Sequence, residues 1–402
     1  MKKMVLLLLA FACIAYADNV TYEWNSTLFF AFDSEAYGVA IDSQNNSVFS
    51  GYIFNFEGGI DFFVVKLDSS GSQLWNFTYN NGAEEVANDV AIDSEDNVIA
   101  VGYEADGDHL LVFKFNSSGS QLWNKTFDDP AVTDIGMGVA IDSNDNVIVG
   151  GKTIVGGNYA YLIIKYNSSG DYQWNSTCAI GNELQDVAVD SADNIIATGG
   201  YQKYFTIKFN SSGSALWNAT FNQTGSNWAY GVAVDSSDNV IVTGTSNSTY
   251  FFTIKYNSSG SFLWNATDIE GEAYDVTVDA FDNIYVAGYS YNGVDLDAYF
   301  VKYNSSGDFI LNQTFDSGDE DVAYAIANGS VAIAGYSTSG GVKGFMTAKY
   351  KTQESQPETP ASIIIIQAPG FGAAETILLF IAALSLALFS SRNQCRRQPA
   401  RQ

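Results

Sequence analysis

The chain reads as all-β: a seven-bladed β-propeller of four-stranded blades, closed into a ring by its own N-terminal strand. Three repeated anchors predict this. The string Val-Ala-Ile-Asp-Ser-x-Asp-Asn-Val recurs with aspartates at Asp42, Asp93, Asp142, Asp190, Asp235 and Asp279, spaced 51, 49, 48, 45 and 44 residues apart. An eroded seventh copy, Ile326-Ala-Asn-Gly-Ser-Val331, reads with Ala327 in the place of the aspartate. Strands ending on lysine before a Ser-Ser-Gly-like turn supply the second anchor, at Lys66, Lys114, Lys165, Lys208, Lys255, Lys302 and Lys349. The third is Trp-Asn, at Trp24, Trp75, Trp123, Trp174, Trp217 and Trp264, with Leu311 in the seventh place. A fixed period near 45 residues filled by four short strands is the signature of a propeller blade.

The elements follow in order. Residues 1–17 carry a charged start, an apolar run and a small-x-small finish at Ala15-Tyr-Ala17, and read as a secretory signal peptide. Residues 18–351 are the propeller. Its first segment, Tyr22–Leu28, is a Trp-Asn strand with nothing before it, and the last repeat stops at Tyr350 without one. The orphan strand is therefore expected to complete the last blade, which removes the open sheet edges of a linear stack. One unit shows the pattern: Asp89–Asp93, a polar turn, Val98–Tyr103, a variable loop, Leu110–Phe115, the turn Asn116-Ser-Ser-Gly119, then Gln121–Phe127. Short runs of β-branched and aromatic residues between Gly, Asn, Asp and Ser clusters are strand signals.

Residues 352–368 read as a linker. Residues 369–391 form an apolar stretch of about one bilayer-spanning helix. Residues 392–402, with Arg392, Arg396, Arg397 and Arg401, read as a basic cytoplasmic tail. The partner expected from this end is the membrane, through the helix or a lipid.

The repeats resemble the beta-propeller repeat proteins of bacterial and archaeal surfaces. The match is carried by segments such as Val232-Ala-Val-Asp-Ser-Ser-Asp-Asn-Val-Ile-Val-Thr-Gly244, and the Lys-Tyr-Asn-Ser-Ser-Gly-Ser turn resembles the delta-60 repeat. The resemblance implies the fold and says little about activity. Pro369-Gly-Phe-Gly, the apolar stretch and the arginine cluster resemble the archaeal PGF-CTERM sorting signal, which implies cleavage by an archaeosortase and a lipid in place of the helix. Glu375 and the polar tail depart from that pattern, so a plain membrane anchor stands beside it.

Composition narrows the partners. Residues 18–353 carry 12 lysines, no arginine and 42 acidic residues, so the domain charge is 12 − 42 = −30. A surface this acidic repels nucleic acid and suits cations or basic partners. Between the two terminal segments Cys178 is the single cysteine, so packing and sheet hydrogen bonds must hold the domain. His109 is the sole histidine, which leaves a Ser-His-Asp triad or a histidine metal cluster without partner motifs.

The Asp-Ser-x-Asp-Asn turns are the metal candidates, with calcium the cofactor to weigh. Asp142, Asn144 and Asn146 have alternating oxygen ligands but lack the glycine and distal glutamate of a calcium loop, and the same residues make tight turns. The strand lysines are expected to pair with the repeat aspartates across the intervening strand, Lys66 with Asp42 and so on, with Lys349 left out. The tryptophans are expected to wedge between blades. Seventeen Asn-x-Ser/Thr sequons are candidate glycosylation acceptors. Twelve recur in register: Asn116, Asn167, Asn210, Asn257 and Asn304 in turns, and Asn25, Asn76, Asn124, Asn175, Asn218, Asn265 and Asn312 in fourth strands.

Two function classes remain. One is an exported, membrane-anchored, non-enzymatic surface module for adhesion, envelope structure or binding of an extracellular protein or glycan. The other is a secreted carbohydrate-active enzyme, a lyase or hydrolase, using loop carboxylates such as Glu57, Glu84, Glu85, Asp106, Asp108, Asp295, Asp297 and Glu320. No catalytic set stands out. Any ligand site is expected on the rim of variable loops, since loops on a rigid scaffold carry specificity.

Overall fold

The computed structural model describes residues 19–353 apart from 29–32, 56–58, 106–108, 128–132, 180–182, 201, 223–224, 248 and 328–330. Every regular element among them is a β-strand. The first sheet holds β2 (Ser34–Ile41), β3 (Ser47–Asn55), β4 (Gly59–Leu67) and β5 (Gln73–Tyr79) in that order. The second holds β6 (Glu85–Ile92), β7 (Val98–Glu104), β8 (His109–Phe115) and β9 (Gln121–Phe127). The third holds β10 (Ile135–Ile141), β11 (Val147–Val155), β12 (Asn158–Tyr166) and β13 (Tyr172–Cys178). The fourth holds β14 (Leu184–Val189), β15 (Ile195–Gly199), β16 (Tyr204–Phe209) and β17 (Ala215–Phe221).

A seven-stranded sheet follows: β18 (Trp228–Val234), β19 (Val240–Ser246), β20 (Tyr250–Tyr256), β21 (Phe262–Val278), β22 (Ile284–Tyr291), β23 (Leu296–Tyr303) and β24 (Phe309–Phe315). Its long strand β21 pairs with β20 up to Glu270 and with β22 from Gly271 onward. The last sheet joins β25 (Asp321–Ala327), β26 (Ala332–Ser339) and β27 (Val342–Gln353) to β1 (Asn19–Leu28). All pairs are antiparallel, which matches chain reversal through short hairpins.

The chain's two ends meet as expected. Strand β1 pairs with β27 from Asn19↔Gln353 to Leu28↔Phe345, so β27 runs two residues into the segment read as linker. Each sheet shares its core with the next, and the last shares one with the first. Ala36, Phe49 and Phe63 pack with Ala325, Ala334 and Phe345 at that junction, and the Phe63 and Phe345 rings meet edge-on at 5.6 Å. The sheets therefore form a closed circuit of buried apolar contacts, the main stabilising term in such a fold. No described helix is long and apolar enough to cross a membrane; residues 1–17, 354–391 and the 392–402 tail lie outside the described residues.

Each residue of the repeated turn has a structural duty. In Asp93-Ser-Glu-Asp-Asn97, Asp93 Oδ1 accepts the amides of Glu95 (3.0 Å) and Asn97 (2.9 Å), and Oδ2 accepts Asn97 Nδ2 (2.9 Å). Ser94 reaches the next sheet, donating its amide (3.0 Å) and hydroxyl (2.7 Å) to the Asp145 carboxylate. The same latch joins Ser43 to Asp96, Ser143 to Asp193, Ser191 to Asp238 and Ser236 to Asp282. The acceptor aspartates sit at φ of 58–62°, a left-handed turn position that Asp tolerates better than most residues.

Five of the predicted ion pairs form. Lys66–Asp42, Lys114–Asp93, Lys165–Asp142 and Lys255–Asp235 are each 2.7 Å apart and nearly fully buried, and Lys208–Asp190 matches them. Lys302 lies over the Tyr285 ring at 5.2 Å. Lys349, fully buried, turns instead to the first sheet and donates to Asn45 O at 2.6 Å. One alignment needs correction. The pairing Ala327↔Ala332 matches Ala91↔Ile99, so Ala327 occupies a strand position two residues before the aspartate's, whose place falls within residues 328–330, outside the described residues. A connection three residues shorter, four residues between Ala327 and Ala332 against seven between Ala91 and Ile99, hid this shift from the sequence.

The tryptophans also do what was expected. Trp75 Nε1 donates to Ser117 O of the next sheet at 3.1 Å, the same carbonyl that Lys66 reaches. A Cβ on Gly119 would strike the Trp75 ring, so the turn must carry glycine there. Trp24 repeats the arrangement on Ser69 and Gly71, which binds the orphan strand to the first sheet as well as the last.

Candidate functional site

The innermost strands are β2, β6, β10, β14, β18, the second half of β21, and β25. Each carries a β-bulge near the rim where it enters. The register slips between Ala36 and Gly38, Ala87 and Asp89, Gly136 and Gly138, Leu184 and Asp186, Ala229 and Gly231, Ala273 and Asp275, and Ala323 and Ala325. The extra residues are Tyr37, Asn88, Met137, Gln185, Tyr230, Tyr274 and Tyr324. All seven line one central cavity of about 490 Å³. Bulges re-aim side chains, and here they turn one residue per inner strand toward a common space.

The repeat glycine of each second strand makes the bulge possible. A Cβ at Gly102 would collide with Val86 O, and Gly51, Gly244, Gly288 and Gly335 face the same clash with the matching carbonyl. The Gly-Tyr pair of the repeat thus has a physical origin: close backbone approach at the bulge.

Tyrosine covers one side of the cavity. Successive ring centroids are 5.2 Å apart for Tyr230–Tyr274, 5.0 Å for Tyr274–Tyr324 and 5.2 Å for Tyr324–Tyr37. The tilted and edge-on geometries suit the ring quadrupoles. Two glutamates hold the arc by hydrogen bonds: Tyr37 Oη donates to Glu35 at 3.1 Å and Tyr274 Oη to Glu272 at 2.9 Å. Burial, then the glutamate charge, pushes both phenols far above their ordinary pKa, so they remain neutral. Tyr52 and Tyr103 extend the lining toward the variable loops, and Ile60 joins it from the start of β4.

The residue after each bulge alternates around the circuit: Gly38, Asp89, Gly138, Asp186, Gly231, Asp275, Ala325. Each aspartate clamps two sheets. Asp89 accepts the Val90 amide (2.7 Å) and the Val139 amide of the third sheet (2.8 Å). Asp186 does the same with Val187 and Val232, and Asp275 with Val276 and Ile326. A Cβ at Gly138 would press on Asp186, and one at Gly231 on Asp275, so small residues make room for the carboxylates.

These aspartates touch the cavity yet are ringed by protein. Burial pushes Asp89 up to about 7 and Asp275 up to about 6, against the pull of their backbone donors. Asp186 is raised well above its ordinary value by burial and by the charges of Asp275 and Asp89. Among the described residues no three His, Cys, Asp or Glu side chains gather closely enough to hold a metal ion.

The residues singled out from sequence lie elsewhere. Asp142 accepts the amides of Asn144 (2.9 Å) and Asn146 (3.0 Å), Asn146 Nδ2 (2.8 Å) and Lys165 Nζ (2.7 Å), which is the turn and ion-pair role. Glu85 is buried and caps its own loop through the Asn81 and Ala83 amides. Asp297 and the half-buried Asp295 are held by Asn292, while Glu84 and Glu320 are exposed. Glu57, Asp106 and Asp108 lie outside the described residues. Asn116, Asn167, Asn210, Asn257 and Asn304 are half-buried in turns; Asn25, Asn76, Asn124, Asn175, Asn218, Asn265 and Asn312 are exposed on the outer strands. Sequence reading passed over the axial residues. Their signal was present: one column of the repeat, just before the Gly/Asp position, holds Tyr, Asn, Met or Gln inside an otherwise apolar strand.

No protein-family model matches the sequence, and no curated protein matches it. Solved structures do. The chain is similar to a catalytically inactive virginiamycin B lyase from Staphylococcus aureus, solved with quinupristin (TM-score 0.54, 12% identity, 81% of this chain and 99% of that one). It is also similar to the WD40 β-propeller domain of Doa1 (TM-score 0.56, 13% identity, 84% of this chain and 98% of that one). At such identities the likeness concerns fold alone: the chain has a β-propeller-like architecture of antiparallel sheets.

Proposed function

We propose that this chain is an exported, membrane-anchored surface protein, a seven-bladed propeller that binds a cationic group in its axial cavity and catalyses no reaction. The observation that carries the reading is the cavity wall: four adjoining tyrosine rings share its lining with Asp89, Asp186 and Asp275. Aromatic faces and carboxylates both attract cations. A cation already uses this chemistry nearby. Lys343 Nζ lies 3.9 Å from the Tyr336 ring centroid and 2.6 Å from Glu35, and Tyr336 adjoins Tyr324 of the arc at 5.8 Å. The domain charge of −30 would steer a basic partner toward it. Counting β21 as a member of two blades gives seven, one for each bulge. The signal peptide, the anchor and the extracellular setting are carried by the terminal segments of the sequence.

The alternative is a secreted lyase or hydrolase. Its support is the raised pKa of the axial aspartates, a trait of catalytic acids. Against it, both oxygens of each aspartate already accept backbone amides. The test is calorimetric titration of the protein with tetramethylammonium, an arginine-rich peptide and the uncharged isostere neopentyl alcohol. The cationic probes should bind, and Tyr274→Ala with Tyr324→Ala should weaken them about tenfold, near the upper range of cation–π contributions. Equal binding of the neutral isostere, or no effect of losing both rings, would refute the reading.

A further inference from the structure

The sequons of this chain fall into two structural classes. In the turns, the asparagine side chain folds back over its own backbone. Asn116 Oδ1 accepts the Ser118 amide (3.1 Å) and the Ser120 amide (2.9 Å), and Asn210 and Asn257 do likewise. Asn167 and Asn304 also spend Nδ2 on Asp171 and Asp308, both at 3.0 Å. The turns then sit against the tryptophan of the preceding sheet.

The fourth-strand sequons differ. All seven are Asn-x-Thr. Side chains on alternate strand positions share a face. In β5, β9, β13, β17 and the first half of β21, both the asparagine and its threonine are exposed, while the residue between them packs inward. Among the described residues Asn76, Asn124, Asn175, Asn218 and Asn265 make no side-chain hydrogen bond that would tie up Nδ2.

A second observation points to an occupant. Each of these strands carries a bulge two residues before the asparagine, since Lys66 pairs with Trp75 and Leu67 with Gln73, leaving Leu74 as the extra residue. The bulges at Leu74, Leu122, Leu216 and Leu263 hold large apolar side chains 52, 52, 53 and 45% exposed. The same exposed leucine beside the same asparagine, four times over, is apolar surface that no described residue covers. The C–H face of a sugar ring attached at Nδ2 would cover it.

We propose that the outer strands carry a perimeter belt of N-linked glycans, with the first sugar on the bulge leucine beside Asn76, Asn124, Asn218 and Asn265 and on Gln173 beside Asn175, while the turn sequons stay bare. The donor is an oligosaccharide carried on a lipid phosphate or pyrophosphate. Nδ2 bonds to the anomeric carbon, the bond from that carbon to the phosphate oxygen breaks, the lipid phosphate leaves with the electron pair, and the amide loses one proton. This belt rests on export but not on the axial ligand.

The test is glycopeptide mass spectrometry on the protein purified from its own membranes, with the mature N-terminus read in parallel. Asn76, Asn124, Asn175, Asn218 and Asn265 should be occupied at least tenfold more than Asn116, Asn210 and Asn257. Turn sites occupied as fully as strand sites, or bare strand sites in a chain processed to Asp18, overturn the belt and leave the axial reading untouched. A chain that retains Met1 and is bare throughout overturns the belt together with the export it rests on. For the leucine contact, Leu122→Ser should lower the melting temperature of the glycosylated protein but not of Thr126→Ala, which loses the sequon and keeps Asn124. The same shift in both backgrounds would refute the contact.

Discussion

Replacing Lys114 by methionine should leave a buried carboxylate without its cation. Lys114 Nζ and Asp93 Oδ2 are 2.7 Å apart, with side chains 4% and 1% exposed. Burial alone would raise the Asp93 carboxyl. Hydrogen bonds from Lys114 and Asn97 and the backbone amides outweigh it and hold the group below its ordinary value. Methionine fills most of the lysine stem's volume, so packing changes little. What disappears is the ion pair and the lysine's 3.1 Å bond to Ser168 O. Removing one partner of a buried pair costs about 3–5 kcal/mol. The donors that remain on Asp93, Glu95 N, Asn97 N and Asn97 Nδ2, favour the lower end, about 3 kcal/mol.

Pairing the change with Asp93→Asn should recover at least half of that loss, because a neutral amide needs no cation. The pH dependence has a definite sign. A depressed carboxyl contributes stability that is full above its unfolded pKa and is lost as pH falls through the folded value. In Lys114→Met the carboxyl rises instead, so the variant's deficit should shrink from pH 7 to pH 4.5. Denaturant unfolding followed by tryptophan fluorescence at both pH values measures this. A loss under about 1 kcal/mol at pH 7, or a double variant no more stable than Lys114→Met alone, would refute the reasoning.

Gly102→Ala should destabilise by more than about 2 kcal/mol, since the new Cβ meets Val86 O and the bulge cannot form without moving backbone; a neutral melting shift would contradict the account of the repeat glycine. A chain beginning at Asp33 lacks β1, uncovers β27 and loses the Trp24 bond to Ser69, so its melting temperature should fall by more than about 10 °C; unchanged melting would count against closure by that strand. The axial aspartates are raised groups, whose stabilisation is present below the unfolded pKa near 4 and lost as pH climbs through about 6 to 7. The turn aspartates act oppositely below pH 4, so stability should peak near pH 5. Calorimetry of Asp89→Asn/Asp186→Asn/Asp275→Asn should show a flatter profile from pH 5 to 8, and an unaltered slope would exclude these groups as its source.

The sequence by itself determined the strands, their fourfold grouping and the partners of the repeated charges. Those features are local or strictly periodic. A lysine reaches an aspartate across the intervening strand in five units, so one repeat predicts the others. The β1–β27 closure was legible for a similar reason, as one end lacked the strand that the other end carried.

Tertiary structure alone decided the axis. Tyr37, Tyr230, Tyr274 and Tyr324 are hundreds of residues apart at the extremes, and nothing in a single repeat says that one extra residue will be pushed out of register toward the centre. That outcome depends on Gly51, Gly244, Gly288 and Gly335 allowing close backbone approach, and on the sheets meeting in a closed circuit. The alternation of Gly38, Asp89, Gly138, Asp186, Gly231, Asp275 and Ala325 likewise has meaning only when neighbours are known. A carboxylate needs a small residue beside it and a backbone amide across the gap, and both come from other sheets. Periodicity fixes what each unit is; burial and charge at the centre depend on what surrounds it.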